Sequence, residues 1–232
     1  MPHIHIIPKG KRTAILLMDG ENAGPLQSSD LLRYNLEDGG EITREFAELI
    51  LTELILPAGK KKAMDLLLAQ DRTKAELLRR LTQAGFGERI VSEVMEYIRQ
   101  FPYLDDVRYA KNYLTSAAGK KSLSEIRHKL TEHGVSDEDY EQALAEFLEE
   151  NAAALNPEEG VLGDSASFET GSEEALEFET LRKLMRKKVP DGTALSKSQK
   201  EKLYASFLRK GFGYHTVRTV LKSYPTCEEG EN

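Results

Sequence analysis

Over residues 60 to 224 apolar side chains recur every three or four positions, with charged and polar residues between them. That is the period of amphipathic helices. The pattern also repeats itself. Segments 72–98, 121–147 and 198–224 align without a gap when displaced by 49 and then 77 residues. Leu77, Ile126 and Leu203 coincide, as do Leu81, Leu130 and Phe207. Gly85, Gly134 and Gly211 coincide next, each followed by Phe86, Val135 or Phe212. Val94, Ala143 and Val220 then match, and after them Ile98, Phe147 and Tyr224.

Each of these units reads as two helices joined by a turn. Thr73 with Glu76, Ser122 with Glu125, and Ser198 with Glu201 form the S/T-x-x-E pattern that opens a helix. The three glycines stand where that helix must stop, because glycine takes the left-handed conformation without a Cβ clash. Gly87, Ser136 and Gly213 are acceptable N-caps for the second helix. The apolar residue before each cap can pack five positions on, pairing Phe86 with Val91, Val135 with Tyr140 and Phe212 with Val217. A further helix precedes each pair, around 61–70, 106–118 and 174–188. The fold expected is mainly α: a tandem array of three three-helix repeats, each burying its stripe against its neighbours.

Residues 1–58 follow a different rule. Ile4 to Ile7 and Thr13 to Met18 read as strands separated by a Pro-Lys-Gly-Lys turn, and Asp19-Gly20 signals a second turn before a third short strand. SSDLLRYNL and ITREFAELILTELILPAG read as helices, the second ending near Pro57–Gly59. A small β-containing module therefore precedes the array. The expected organisation is this module over 1–58, repeats over 60–104, 105–150 and 174–224, an acidic linker over 151–173 and an acidic tail over 225–232. The linker, NAAALNPEEGVLGDSASFETGSE, is rich in acids and small residues and poor in large apolar ones.

Composition narrows the function. The net charge of −7 conceals a segregation: Glu132 to Glu179 holds sixteen acids and no Lys or Arg, whereas Thr180 to Lys222 holds twelve Lys or Arg against Asp191 and Glu201. The third repeat is thus basic enough to attract phosphates or an acidic groove. Cys227 is the one cysteine, so no internal disulfide forms, and a reducing cytoplasm fits. No apolar run reaches the roughly 20 residues of a membrane span, and the first residues lack a signal-peptide pattern, so a cytoplasmic protein without membrane contact is expected.

Candidate chemistry is sparse. GFGERI and GFGYHT match no phosphate loop, and helix ends explain their glycines. His3 and His5 lack nearby Cys or acid ligands, so no metal is expected, and no cofactor. Asp105 and Asp106 raise the question of a catalytic pair. Adjacent residues on a helix do not face each other, and Asp is a favoured N-cap whose neighbour gains from the helix dipole. The pair is read as a structural junction with Leu104 packing on Tyr109, and Gly85, Gly134 and Gly211 as structural turns. No nucleophile–base constellation is present, and no enzymatic activity is expected. The candidates for binding are basic: Arg79, Arg80, Lys120, Lys121, Arg127, Lys129, Arg186, Lys187, Lys188, Arg209 and Lys210. Arg80, Lys129 and Ser206 occupy one position in successive repeats, so the first two project alike.

The segment YLDDVRYAKNYL followed by SLSEIRHKLTEHGVSDEDYEQAL resembles RecX, the family of regulators of the RecA recombinase. AELLRRLTQAGFGERIVSEVMEYI resembles the preceding repeat of that family and FLRKGFGYHTVRTVL its closing one. The resemblance spans roughly residues 60 to 224 and rests on the order of three units around a Leu-Asp-Asp junction. It implies a modulator built from three-helix repeats, lying in the groove of RecA filaments on DNA and depressing ATP hydrolysis and strand exchange. DNA repair, homologous recombination and the SOS response are the processes implied. The partners expected are the RecA filament and single- or double-stranded DNA, bound by a monomer. Phe101 and Pro102 stand where the family commonly has glycine, and the acidic linker is an insertion. The alternative is an autonomous DNA-binding protein of helix–turn–helix type. Against it, ERIVSEVMEYI and DEDYEQALAEF are acidic or apolar, and only YHTVRTVLKSY offers basic groups.

Overall fold

The computed structural model describes residues 1–155 and 172–227 of the chain. These fall into two compact units, Met1–Asp106 and Val107–Asn232.

The first unit opens with strands β1 (Ile4–Pro8), β2 (Thr13–Met18) and β3 (Glu21–Gln27), paired antiparallel in that order. Asp19 and Gly20 both take positive φ (50° and 84°), the two-residue turn whose twist suits a hairpin. The short helix α1 (Ser28–Arg33) follows, and then α2 (Arg44–Ile50). The chain does not stop at Pro57–Gly59 as the sequence suggests. It winds on through a π-helical turn, Leu51–Ile55, into α3 (Leu56–Ala69). Pro57 has no N–H to donate, and its ring would crowd the carbonyl four residues earlier. The wider turn ahead of it accommodates both defects without breaking the helix. Gly59 is buried where α3 packs on the third helix of the same repeat: a Cβ there would lie 2.9 Å from Val94 Cγ2.

Helices α4 (Lys74–Ala84) and α5 (Glu88–Arg99) complete the first repeat. Leu77, Leu81, Phe86, Ile90, Val94 and Ile98 form one continuous core with Ile4, Leu16 and Leu26 of the sheet and Ile50 and Ile55 of the long helix. Each fully buried side chain of this kind stabilises the unit by about 1.5–3 kcal/mol. The N-terminal module and the first repeat thus share one interior.

The second unit contains nearly all of α6 (Asp106–Ala117), then α7 (Leu123–Glu132), α8 (Asp137–Asn151), a 3₁₀ turn (Ala152–Leu155), α9 (Glu173–Lys188), α10 (Lys197–Arg209) and α11 (Tyr214–Lys222). Two clusters form its interior. Leu114, Ile126, Leu130, Tyr140 and Leu144 build one, and Phe178, Leu181, Phe207, Val217 and Val220 the other. Helix α9 serves both, with Leu176 in the first and Phe178 in the second. Most of the expected linker, residues 156–171, and the tail residues 228–232 lie outside the described residues.

The three glycine turns adopt the same geometry. Gly85, Gly134 and Gly211 have φ of 104°, 82° and 81°. The following residue in each case returns its N–H to a carbonyl five residues back: Phe86 to Leu81, Val135 to Leu130, Phe212 to Phe207. That is the Schellman closure of a helix C-terminus. Thr73, Ser122 and Ser136 cap the helices they precede. In the third repeat the cap is Ser196 with Gln199, two residues before the expected Ser198. Leu195 is held extended there, its N–H on the Pro225 carbonyl and its carbonyl accepting from Cys227, so the helix begins as soon as that bridge releases the chain.

Each unit buries one such turn against a neighbour. In the first unit Asn22 Nδ2 donates to the Gly85 carbonyl at 3.1 Å, and Lys9 Nζ reaches the carbonyls of Gln83 and Ala84. In the second unit Ser122 Oγ donates to the Lys210 carbonyl at 2.5 Å while accepting the Glu125 N–H at 3.2 Å. One buried hydroxyl thereby satisfies the start of α7 and the end of α10.

Two expected outcomes follow from these turns. A Cβ at Gly87 would sit 1.6 Å from the Asn22 carbonyl oxygen, whereas at the equivalent Gly213 the nearest atoms are 3.5 Å away. Gly87→Ala therefore costs about 3 kcal/mol and Gly213→Ala under about 1 kcal/mol in urea unfolding. Ser122→Ala costs about 2–3 kcal/mol, because it removes a cap and strands a shielded carbonyl. Ser136→Ala, at an exposed cap, costs about 1 kcal/mol by the same measurement.

Candidate interaction surface

Asp106 is buried, and its Oδ1 accepts the backbone N–H of Lys74 at 3.0 Å. It serves the start of α4, 32 residues away, as well as lying in the first turn of its own helix. Asp105 is exposed immediately ahead of that turn. Leu104 packs on the core of the first unit and Tyr109 on that of the second, where its hydroxyl meets His133 Nδ1 at 2.7 Å. Among the described residues no three His, Cys, Asp or Glu side chains converge to hold a metal. His3 and His5 each lie beside one carboxylate, Glu41 at 3.2 Å and Asp38 at 3.5 Å.

The basic candidates divide by what surrounds them. Arg127 is engaged on three sides: Nη2 lies 3.0 Å from Asp137, Nη1 lies 2.9 Å from Glu141, and the guanidinium covers the Tyr140 ring at 5.1 Å. Lys121 and Lys129 pair with Glu125 and Glu132 at 2.9 and 2.8 Å, and these carboxylates hold both ammonium groups above their ordinary pKa. Lys120 donates to the Ser116 carbonyl, Arg79 lies 3.9 Å from Glu76, and Arg186 lies 2.6 Å from Asp191. Exposed pairs of this kind contribute at most about 1 kcal/mol each, but they neutralise the charge a partner would meet. Lys188 stands over Phe207 at 5.3 Å, and Arg209 donates to the Ala205 carbonyl. Arg80, Lys187 and the Lys210 side chain are exposed with no carboxylate partner among the described residues.

Sequence reasoning missed three further exposed residues on α11: Tyr214, Arg218 and Lys222. They recur at i, i+4 and i+8, so they share one face. The repeat alignment holds the signal. The same positions are Glu88, Ser92 and Glu96 in the first repeat and Asp137, Glu141 and Ala145 in the second. Beside the stripe, Tyr204 meets Tyr214 edge to face, with centroids 5.7 Å apart. In the first repeat the corresponding groove, about 780 Å³, is floored by Leu78, Val91 and Met95 and rimmed by Glu88 and Glu96. In the second repeat it is a smaller cavity, about 370 Å³, lined by Arg127 and the first turn of α9.

Three family models match the helical units: the first three-helix domain of RecX over residues 60–97, the second over 105–144 and the third over 175–221. The chain belongs to the RecX family. Curated relatives include the regulatory protein RecX of Streptococcus sanguinis (strain SK36), 25% identical over 228 residues, covering 97% of this chain and 78% of the relative. That of Clostridium botulinum (strain Eklund 17B / Type B) is 20% identical, covering 94% and 93%. Among solved structures, a crystal structure of regulatory protein RecX superposes with a TM-score of 0.52 at 20% identity, covering 96% of this chain and all of that one. RecX from Lactobacillus salivarius gives 0.51 at 20% identity, covering 72% and 94%. The likeness in structure is one of fold: a RecX-type array of three-helix repeats behind a small three-stranded sheet. No helix among the described residues is long and apolar enough to cross a membrane.

Glu177 joins the two repeats of the second unit. Its carboxylate accepts the backbone N–H of Gly213, at the start of α11, at 3.4 Å, and lies beside the start of α7. Burial pushes its pKa up, hydrogen bonding to the Gly213 N–H only partly offsets this, and nearby Glu173 adds to the rise. A carboxyl whose folded pKa exceeds its unfolded value favours folding most when protonated, and that contribution is lost as pH rises through the folded pKa. Glu177→Gln, which keeps an acceptor, should therefore gain on the parent chain in melting temperature between about pH 4 and pH 7. Glu177→Ala leaves the Gly213 N–H without that acceptor and costs about 1–2 kcal/mol near pH 4, and less near pH 7.

Proposed function

We propose that this protein is a regulator of the RecA recombinase that binds the groove of RecA filaments on DNA and lowers their ATP hydrolysis and strand exchange. The observation carrying this reading is the complete set of three RecX three-helix domains, in family order, on one chain. A protein that works by docking needs a surface more than a reaction centre, and the repeated helices supply that surface. The contacts proposed are the basic groups on helix faces and the turns that follow them: Arg79, Arg80, Lys120, Lys121, Arg127 and Lys129 from the first two repeats, and Arg186, Lys187, Lys188, Arg209 and Lys210 from the third. Those without local carboxylate partners, Arg80, Lys187 and Lys210, lose least on being desolvated against a partner. The protein acts as a cytoplasmic monomer without catalysing a reaction of its own.

The test is RecA ATPase on single-stranded DNA with the full chain added below the RecA concentration. Hydrolysis should fall, and joint substitution of Arg80, Lys187 and Lys210 by Ala should raise the concentration needed by roughly tenfold, about 1.4 kcal/mol. Unchanged hydrolysis, strand exchange and filament lifetime would overturn the reading.

A further inference from the structure

We infer that the groove between α4 and α5 of the first repeat is a docking site for an amphipathic helix of a partner protein, one that enters with an acidic first turn at the Lys74 end. The inference stands apart from the regulatory reading, because none of the basic contacts proposed above lines this groove. Its floor is apolar and open. Leu78 is 49% exposed, and with Val91, Met95 and Leu104 it lines a space of about 780 Å³. A helix laid along α4, whose 11 residues span about 16 Å, would cover these side chains in about three turns.

The second repeat shows what this face accepts. Displacement by 49 residues carries Lys74, Ala75, Leu78 and Val91 onto Leu123, Ser124, Arg127 and Tyr140. Those four line the corresponding cavity, and its other wall is the start of α9, with Glu173, Glu174 and Glu177. Leu176 of the same turn is buried in one core with Ile126 and Leu130, and Ala175 beside it is wholly buried. The chain itself therefore lays an acidic, partly apolar helix start on this face of a repeat. The first repeat lacks that covering turn. Glu177, which lies beside the start of α7, is a full turn inside α9, whereas Asp106, which meets the start of α4, is the first residue of α6.

The differences between the two grooves specify the occupant. Arg127, engaged by Asp137 and Glu141, is replaced by Leu78, and Tyr140 by Val91. The occupant must then be more apolar than the start of α9, with leucine-like side chains recurring every three or four positions. Charge sets its direction. Lys74 stands at the end of the groove far from the Gly85 turn, and Glu88 stands beside that turn. Neither has an oppositely charged partner among the described residues, while Arg99 and Glu96 neutralise each other at 2.9 Å. A helix with acids in its first turn and a cation in its last meets both groups, in the sense its own dipole favours.

The test is fluorescence anisotropy of a labelled helical peptide of about 15 residues, titrated with the full chain. The peptide carries an acidic first turn, a basic last turn and leucines at i, i+3, i+4 and i+7. A second peptide keeps the leucines and exchanges the two charged ends. The first should bind the more tightly, and Leu78→Asp should weaken it about tenfold or more. Lys74→Glu should weaken the first peptide and tighten the second, each by about threefold. Leu32→Asp, at an 84% exposed leucine of α1, should leave both unchanged. Leu78 and Lys74 are exposed, so unchanged melting curves confirm folding, and the Lys74→Glu comparison stands even if Leu78→Asp does not fold. Absence of binding, equal binding of the two peptides, or indifference to both groove substitutions would overturn the inference. So would a dimer of the chain in sedimentation that Leu78→Asp dissociates, which would assign the groove to a second copy. The RecA ATPase assay contains no such peptide and reads the regulatory proposal separately.

Discussion

A helix that ends must leave carbonyl groups without intrahelical donors, and in this protein the packing of neighbours is built around that defect. The Schellman closures at Gly85, Gly134 and Gly211 satisfy some of the orphaned carbonyls. Others face outward from the turn, and the adjoining element must supply a donor. Asn22 and Lys9 do so for the first repeat, and Ser122 for the third. The close approach this requires is visible in the glycines themselves, since a Cβ at Gly87 or Gly211 would strike the docking partner. The stripes of Leu, Ile and Phe supply most of the free energy of burial, but these few polar contacts fix which surfaces meet.

In this light the N-terminal sheet plays the part that another repeat would otherwise play. Its strand β3 presents Asn22 to the Gly85 turn much as the cap of α7 presents Ser122 to the turn after α10. Its inner face, through Leu16 and Leu26, closes a core that the first repeat could not close alone. The sheet is the terminal cap of the array, made from a different kind of element.

How much of this could be read from the sequence depends on how far apart the interacting residues lie. Helix ends, N-caps and apolar faces came from patterns within a single turn or two, and the period of the repeats reinforced each reading three times. The hairpin turn at Asp19–Gly20 was legible for the same reason. What stayed hidden required long-range knowledge. Nothing near Asp106 announces that it holds the N–H of Lys74. Ser196 and Ser198 offer equivalent cap patterns, and only the bridge from Leu195 to Pro225 and Cys227 decides between them. The run through Pro57 defeated a local rule, because the π-helical turn that absorbs the proline has no signature of its own. For the candidate surface, counting cations found the third repeat, but only the pairings of Arg127, Lys121 and Lys129 show which charges a partner would meet neutralised.

Helix α9 places Leu176 in one cluster and Phe178 in the next, two residues apart on one rigid rod. Such a rod cannot leave one cluster while staying seated in the other. Fluctuations that would loosen the closing repeat alone also expose the apolar interior of its predecessor, which raises the energy of every partial opening. The pair therefore melts as a single foldon, and whatever surface the last repeat presents is carried on a platform twice its own size.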